Sequence, residues 1–164
     1  APDFFGGFYT QFKYKGFALG AEFSYSKGNM AYNAVRNQLE GMNTLGNQSI
    51  AVLNRWSLDG QVTDMPRVQH NDPYRSTSFS ERWLEDASYL RMKSVTLSYS
   101  FDKTVLNFFR SGTLYVSGEN LLTATKYLGL DPEFSYSYSE TSQGLDYAKM
   151  VQPKSVKFGV NLKF

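Results

Sequence analysis

The chain has 164 residues, no cysteine and a net charge of +2, which suits one ordinary domain, excludes disulfides and thiolate metal sites, and is too weakly basic for nucleic-acid binding. It is 16% aromatic, with 13 Phe, 12 Tyr and 2 Trp, yet its mean hydropathy is negative. No run approaches the ~18 uninterrupted apolar residues of a membrane helix, so a helical membrane protein is excluded. A transmembrane barrel fits this balance, because half of each strand faces water and aromatic girdles mark both interfaces.

Taken in chain order, Phe8, Thr10, Phe12 and Tyr14 share one parity and Tyr9, Gln11 and Lys13 the other, after which Lys15-Gly16 makes a tight turn. From Phe17 the alternation resumes, with Leu19, Ala21, Phe23 and Tyr25 opposite Gly20, Glu22, Ser24 and Ser26. The stretch 28–88 follows as a long connection. Within it Asn29 is expected to cap a helix carrying Met30, Ala34, Val35 and Leu39, stopped by Gly41, and Ser49 to cap a second short helix carrying Ile50, Leu53 and Trp56. So long a connection points to binding or docking.

A third strand is predicted over about 89–101, where Val95, Leu97, Tyr99 and Phe101 alternate with Ser94, Thr96, Ser98 and Ser100. Residues 103–109 read as an amphipathic helix tucked under a rim. A fourth strand over about 113–122 sets Leu114 and Val116 against Tyr115, Ser117 and Glu119. After a second long connection, 123–154, the segment S-V-K-F-G-V-N-L-K-F places Val156, Phe158, Val160, Leu162 and Phe164 on one face and Lys157, Gly159, Asn161 and Lys163 on the other. Its length matches the ~9–11 residues of a tilted membrane strand.

These strands imply an all-β, antiparallel transmembrane segment whose lumen is lined by Glu22, Ser24, Thr96, Ser98, Ser117, Glu119, Lys157 and Asn161. Five strands leave two edges of unpaired backbone groups, which lipid cannot satisfy, so more strands are expected from elsewhere. Ala1-Pro2-Asp3 offers no export signal, and a leader is expected upstream. With Phe164 at the periplasmic rim, both long connections are extracellular.

The segment from Phe79 to Phe101, F-S-E-R-W-L-E-D-A-S-Y-L-R-M-K-S-V-T-L-S-Y-S-F, resembles the C-terminal region of SusC/RagA-type TonB-dependent transporters. So does Leu114 to Glu133, with its N-L-L-T and G-L-D-P-E elements, and so do the opening F-F-G-G-F and the closing F-G-V-N-L-K-F. The resemblance implies that residues 1–164 are the C-terminal part of a barrel of about 22 strands, with no plug domain or TonB box in this stretch. It further implies import of oligosaccharides or peptides with energy relayed by TonB, in the outer membrane of a Gram-negative bacterium of the Bacteroidota, beneath a SusD-like lipoprotein cap. Other implied partners are the remaining barrel and plug, outer-membrane lipid and the barrel-assembly machinery, which reads a terminal signal matching Phe158, Val160, Leu162 and Phe164. Two further readings stand beside transport: a terminal segment held as a client of that machinery, and a soluble carbohydrate-binding β-sandwich.

No enzyme activity and no cofactor are expected. His70, the single histidine, lacks companions at metal-ligand spacing and reads as a solvated loop residue. Glu81, Glu85 and Asp86 resemble a glycosidase carboxylate pair only superficially and read as a polar approach to a strand. Asn47-Gln48-Ser49 matches a glycosylation sequon at the level of chance, and Asp131-Pro132 reads as a turn initiator. Trp56, Tyr136, Tyr138 and Tyr147 lie in the long connections, where their rings are the candidates for stacking on sugar or partner surfaces.

Overall fold

The computed structural model describes residues 1–102, 110–134 and 143–164. In chain order it contains β1 (Phe4–Tyr14), β2 (Phe17–Lys27), β3 (Met30–Asn33), α1 (Ala34–Glu40), β4 (Leu84–Asp86), β5 (Tyr89–Asp102), β6 (Ser111–Thr125), β7 (Leu145–Asp146) and β8 (Ser155–Lys163), with short 3-10 turns at Ile50–Asn54 and Glu81–Trp83. Residues 1–29, 87–126 and 151–164 form one compact unit, and residues 30–86 and 127–150 form a second.

The first unit is a five-stranded antiparallel sheet in the order β1-β2-β5-β6-β8. All the strands predicted from alternation are present: β1 and β6 run several residues beyond the pattern, β2 and β5 one residue beyond it, and β8 ends one residue short of it, at Lys163. Lys15 (φ 44°) and Gly16 (φ 86°) make the two-residue turn between Tyr14 and Phe17, the left-handed pair that matches strand twist. A Cβ on Gly16 would sit 2.7 Å from the Ser100 carbonyl oxygen, so both conformation and space require glycine there.

Register carries the alternation across the sheet. One row reads Tyr14, Phe17, Tyr99, Leu114, Val160, and the row next to it on the same face reads Phe12, Leu19, Leu97, Val116, Phe158. Rings concentrate at both ends of this face: Phe8 stacks on Phe23 at 4.8 Å toward one end, and Phe17 meets Tyr99 at 4.6 Å toward the other. From Phe4 to Tyr14 the strand rises ~33 Å, which a tilt of ~40° reduces to the ~25 Å of an outer-membrane apolar band. Phe12 is 68% exposed, Val160 61% and Phe158 82%, so among the described residues nothing covers this face.

One feature breaks the simple alternation. Glu22 and Phe23 are adjacent on β2, but their β5 partners are Ser94 and Met92, with Lys93 as an extra residue between them. On β6 the corresponding partners are Glu119 and Leu122. This bulge returns Met92 and Leu90 to the apolar face after the Ser94–Ser100 stretch has set even positions on the polar one.

The second unit holds a three-stranded sheet, β4-β3-β7, in which β3 pairs antiparallel with β4 and parallel with β7. Here the structure corrects the sequence reading. Met30 lies in β3, not in a helix, and the helix cap is Asn33, whose side chain accepts from the Arg36 backbone N–H at 2.9 Å. Asn29 instead accepts the Ala87 N–H on its carbonyl and donates to the Ala87 carbonyl, pairing the chain as it leaves β2 with the chain as it enters β5. Ser49 does cap a helical turn, at Ala51 N, but that turn ends at Asn54, before Trp56. The predicted helix over 103–109 lies outside the described residues. The unit's apolar contacts centre on Met42, Val52 and Met65, and Trp83 is 1% exposed. Among the described residues no helix is long and apolar enough to cross a membrane, which says nothing about strands.

Candidate functional site

The polar face of the sheet gathers side chains from every strand. Glu22 pairs with Ser94, Thr96 with Ser117, Ser117 with Lys157, and Asn161 with Thr113, so the register sets them on the face opposite Leu97 and Val160. Ser24 sits there beside Arg91, and Ser98 beside Tyr115. Thr96 bonds Ser117 at 3.0 Å and Ser100 bonds Thr113 at 3.1 Å, a hydroxyl ladder across β5 and β6. Glu119 accepts from Ser155 at 2.9 Å and from Lys157 at 2.5 Å. Tyr115 lies flat over Gly159, where any Cβ would collide with its ring. This face is hydroxylated, and Glu119 and Lys157 form an ion pair on it.

The second unit is organised by two carboxylates. Glu85 accepts from Arg36 Nη1 at 2.8 Å, from Asn33 Nδ2 at 3.3 Å and from the Leu128 backbone N–H at 3.0 Å. Asp146 accepts the Tyr127 hydroxyl at 2.6 Å and the Ala148 N–H at 3.2 Å. Arg36 also bonds Glu40 at 2.8 Å. Burial alone would lower the Arg36 pKa, but its hydrogen bonds to Glu85 and Glu40 outweigh that and raise it. Burial, reinforced by Asp146, pushes the Tyr127 hydroxyl well above its usual range, so it remains a proton donor. Arg82 shifts the other way: burial and then the Arg36 charge lower its pKa. Glu85 thus holds three donors at once and acts as a structural clasp.

A cleft of about 190 Å³ opens between α1 and the 128–130 loop, lined by Val35, Leu39, Leu128 and Leu130 with the paired groups Arg36 and Asp146 at its side. Of the aromatic candidates, Trp56 is half-buried with the Arg67 guanidinium 5.8 Å from its ring. Tyr147 is 48% exposed, its hydroxyl accepting from Gln38 at 2.6 Å. Tyr136 and Tyr138 lie outside the described residues. His70 is exposed, and among the described residues no three acidic or histidine side chains converge as metal ligands. Asp131 accepts the Glu133 N–H at 2.9 Å, the expected turn. Sequence reasoning did not single out Arg36, Tyr127 or Asp146. The Arg36–Glu40 spacing is visible as an i,i+4 pair, but nothing local announces that Glu85 reaches Leu128.

TonB-dependent receptor P3 of Formosa agariphila is 34% identical to this chain across 99% of it, and receptors P26 and P39 of the same organism are 28% and 24% identical across 99%. The chain is a homologue of one segment of the TonB-dependent receptors. It spans only 16–17% of the length of these relatives. Among solved structures it matches the RagAB peptide importer in the 'closed-closed' state with a TM-score of 0.82 and in the 'open-open' state with 0.80, at 30% identity, over 100% of this chain and 17% of that one. No family model matches. The antiparallel sheet is therefore a barrel segment like the matching part of the RagAB importer, and the soluble β-sandwich reading falls with that match.

Proposed function

We propose that this chain forms part of the wall and two external connections of an outer-membrane importer that admits oligosaccharides or peptides with TonB-derived energy, docked to a SusD-like lipoprotein. The carrying observation is the two-faced register: Leu97 and Val160 on one face and Ser98 and Asn161 on the other, across all strands of the sheet. In this reading the apolar face meets lipid, and Glu22, Ser24, Thr96, Ser98, Ser117, Glu119, Lys157 and Asn161 line the lumen. The turn at Lys15-Gly16 is periplasmic, and the connections that leave β2 and β6 are extracellular. These residues perform no covalent chemistry; they shape a passage and present loops, where binding surfaces concentrate.

Cysteines placed at Gln69 and Gln143 in the full-length protein test the topology. Both should react with an impermeant maleimide on whole cells, and labelling only after the outer membrane is breached would overturn the assignment. Uptake of labelled oligosaccharide or peptide by cells with and without TonB tests the transport reading, which fails if uptake is the same in both.

A further inference from the structure

The apolar face of the sheet is not an even wall. Phe17 on β2 leans onto Tyr99 on β5, their ring centroids 4.6 Å apart, while Phe158 stands 82% exposed on β8. Between these rings the register puts only aliphatic side chains, Leu97, Leu114 and Val116. Rings and floor together line an open groove of about 320 Å³ that crosses β5 and β6, a size in the range of small-molecule sites. The floor side chains carry no hydrogen-bonding group, so the ligand such a groove fits is a hydrocarbon chain, held by apolar contact alone.

Beside the groove the end of the sheet carries cations. Lys15, in the turn next to Phe17, holds its Nζ 5.3 Å from the ring centroid of Tyr14, which shares the apolar row with Phe17. The Ser100 N–H pins this turn to β5 by donating to the Gly16 carbonyl at 2.8 Å, and the Arg110 N–H pins that residue to β8 by donating to the Lys163 carbonyl at 2.7 Å. Both Lys15 and Arg110 are exposed. The other described charged side chains at this end, Lys13, Asp102 and Lys163, belong by register to the polar face. β2 and β6 are two strand spacings apart, ~10 Å, so the long side chains at their ends reach one headgroup. Leu114 lies four residues inward of Arg110, ~14 Å along the strand and ~10 Å along the membrane normal at a tilt of ~40°. A headgroup layer takes up ~5–7 Å of that depth, which sets the cations among phosphates and the groove in hydrocarbon. We infer that this end of the sheet binds one anionic phospholipid of the periplasmic leaflet, with an acyl chain in the groove and its headgroup at Lys15 and Arg110. The inference rests on the transmembrane reading above, in which the Lys15-Gly16 turn is periplasmic.

The test uses the full-length protein, purified in detergent and titrated with phosphatidylglycerol under native mass spectrometry. A single lipid should be retained well before any others bind. K15Q/R110Q should weaken that first binding about tenfold, and L114W, which fills the groove floor, should weaken it to a similar extent. V116F repeats the groove test with a smaller ring, and K126Q, beyond the opposite end of β6, should leave binding unchanged. Equal binding by all the variants, a spread of weak and equivalent lipids, or equal affinity for zwitterionic phosphatidylethanolamine would each overturn the inference. Orientation is read separately by Tyr14→p-benzoylphenylalanine, irradiated in living cells, where capture of phospholipid is the expected result. Capture of lipopolysaccharide, the lipid of the outer leaflet, would instead show that the Lys15-Gly16 turn is extracellular. The topology and the leaflet assignment would then fall even in a protein that retained its phosphatidylglycerol site after purification.

Discussion

The sheet and the loop unit solve the same problem in opposite ways. The sheet hides almost none of its large apolar side chains: Phe158, Phe164 and Phe5 are each more than three-quarters exposed, and its one buried charge, Arg91, lies on the polar face, bonded to Thr123 at 3.1 Å. The loop unit buries Trp83, Met42, Val52 and Met65 and neutralises Glu40, Glu85 and Asp146 with internal donors. One region borrows its apolar surroundings from outside the chain, and the other makes its own. Stability of the first should therefore depend on the membrane and that of the second on packing within the unit.

The sharpest test of that contrast is Trp83→Ala, which removes the largest fully buried side chain of the loop unit, packed between Arg36 at 5.5 Å and Arg82 at 4.9 Å. It should cost the loop unit about 3–5 kcal/mol, read as loss of hydrogen-exchange protection over 30–86 while the barrel strands stay protected. Next in size, Leu97→Arg or Val160→Arg should destabilise the barrel by about 2–4 kcal/mol at mid-membrane, whereas Ser98→Arg or Asn161→Arg should cost much less. Heat-modifiable migration together with a denaturant midpoint reads this, and equal losses at the two parities would dissolve the two-faced assignment.

Smaller effects lie in the clasps. Glu85→Ala leaves the Leu128 N–H without its acceptor and should cost about 1–3 kcal/mol, freeing the 127–131 loop to exchange faster without altering the sheet. Smallest of all is acid loosening at Asp72, whose oxygens accept Ser76 N and Oγ at 2.6 and 2.7 Å and Thr77 N and Oγ1 at 2.8 and 2.6 Å. Desolvation opposes ionisation there, but these bonds outweigh it and hold the carboxyl well below the usual range. A depressed pKa stabilises fully above the unfolded value of about 3.9 and loses that contribution as pH falls through the folded value. Protection factors over 71–77, with the intrinsic pH dependence of amide exchange divided out, should thus be flat down to about pH 4 and fall below it, and Asp72→Asn should abolish the pH step.

Where a pattern of period two ran for seven residues or more, the sequence was readable. β2 and β8 carry it along their length, β5 carries it from Ser94 onward, and β1 carries it for the seven residues from Phe8. β3, β4 and β7 are four, three and two residues long, too short for any period, and their partners lie in distant segments. Asn29 and Asn33 are equally good caps on local grounds, and only the pairing of Met30 with Asp86 decides between them. The polar face was legible because hydroxyl and charged residues mark it. The clasp was not, because a carboxylate that bonds a backbone N–H more than forty residues away leaves no mark in its own neighbourhood.

Lys93 gives the sheet a kind of arithmetic. Deleting it would shorten the strand by one residue and turn its first four residues over, sending Arg91 to the apolar face and Leu90 and Met92 to the polar one. On β6, where the matching offset from β2 is two residues, faces are preserved. Length changes in these walls are therefore tolerable in pairs and ruinous singly. A wall built on this register must keep strict count along its strands.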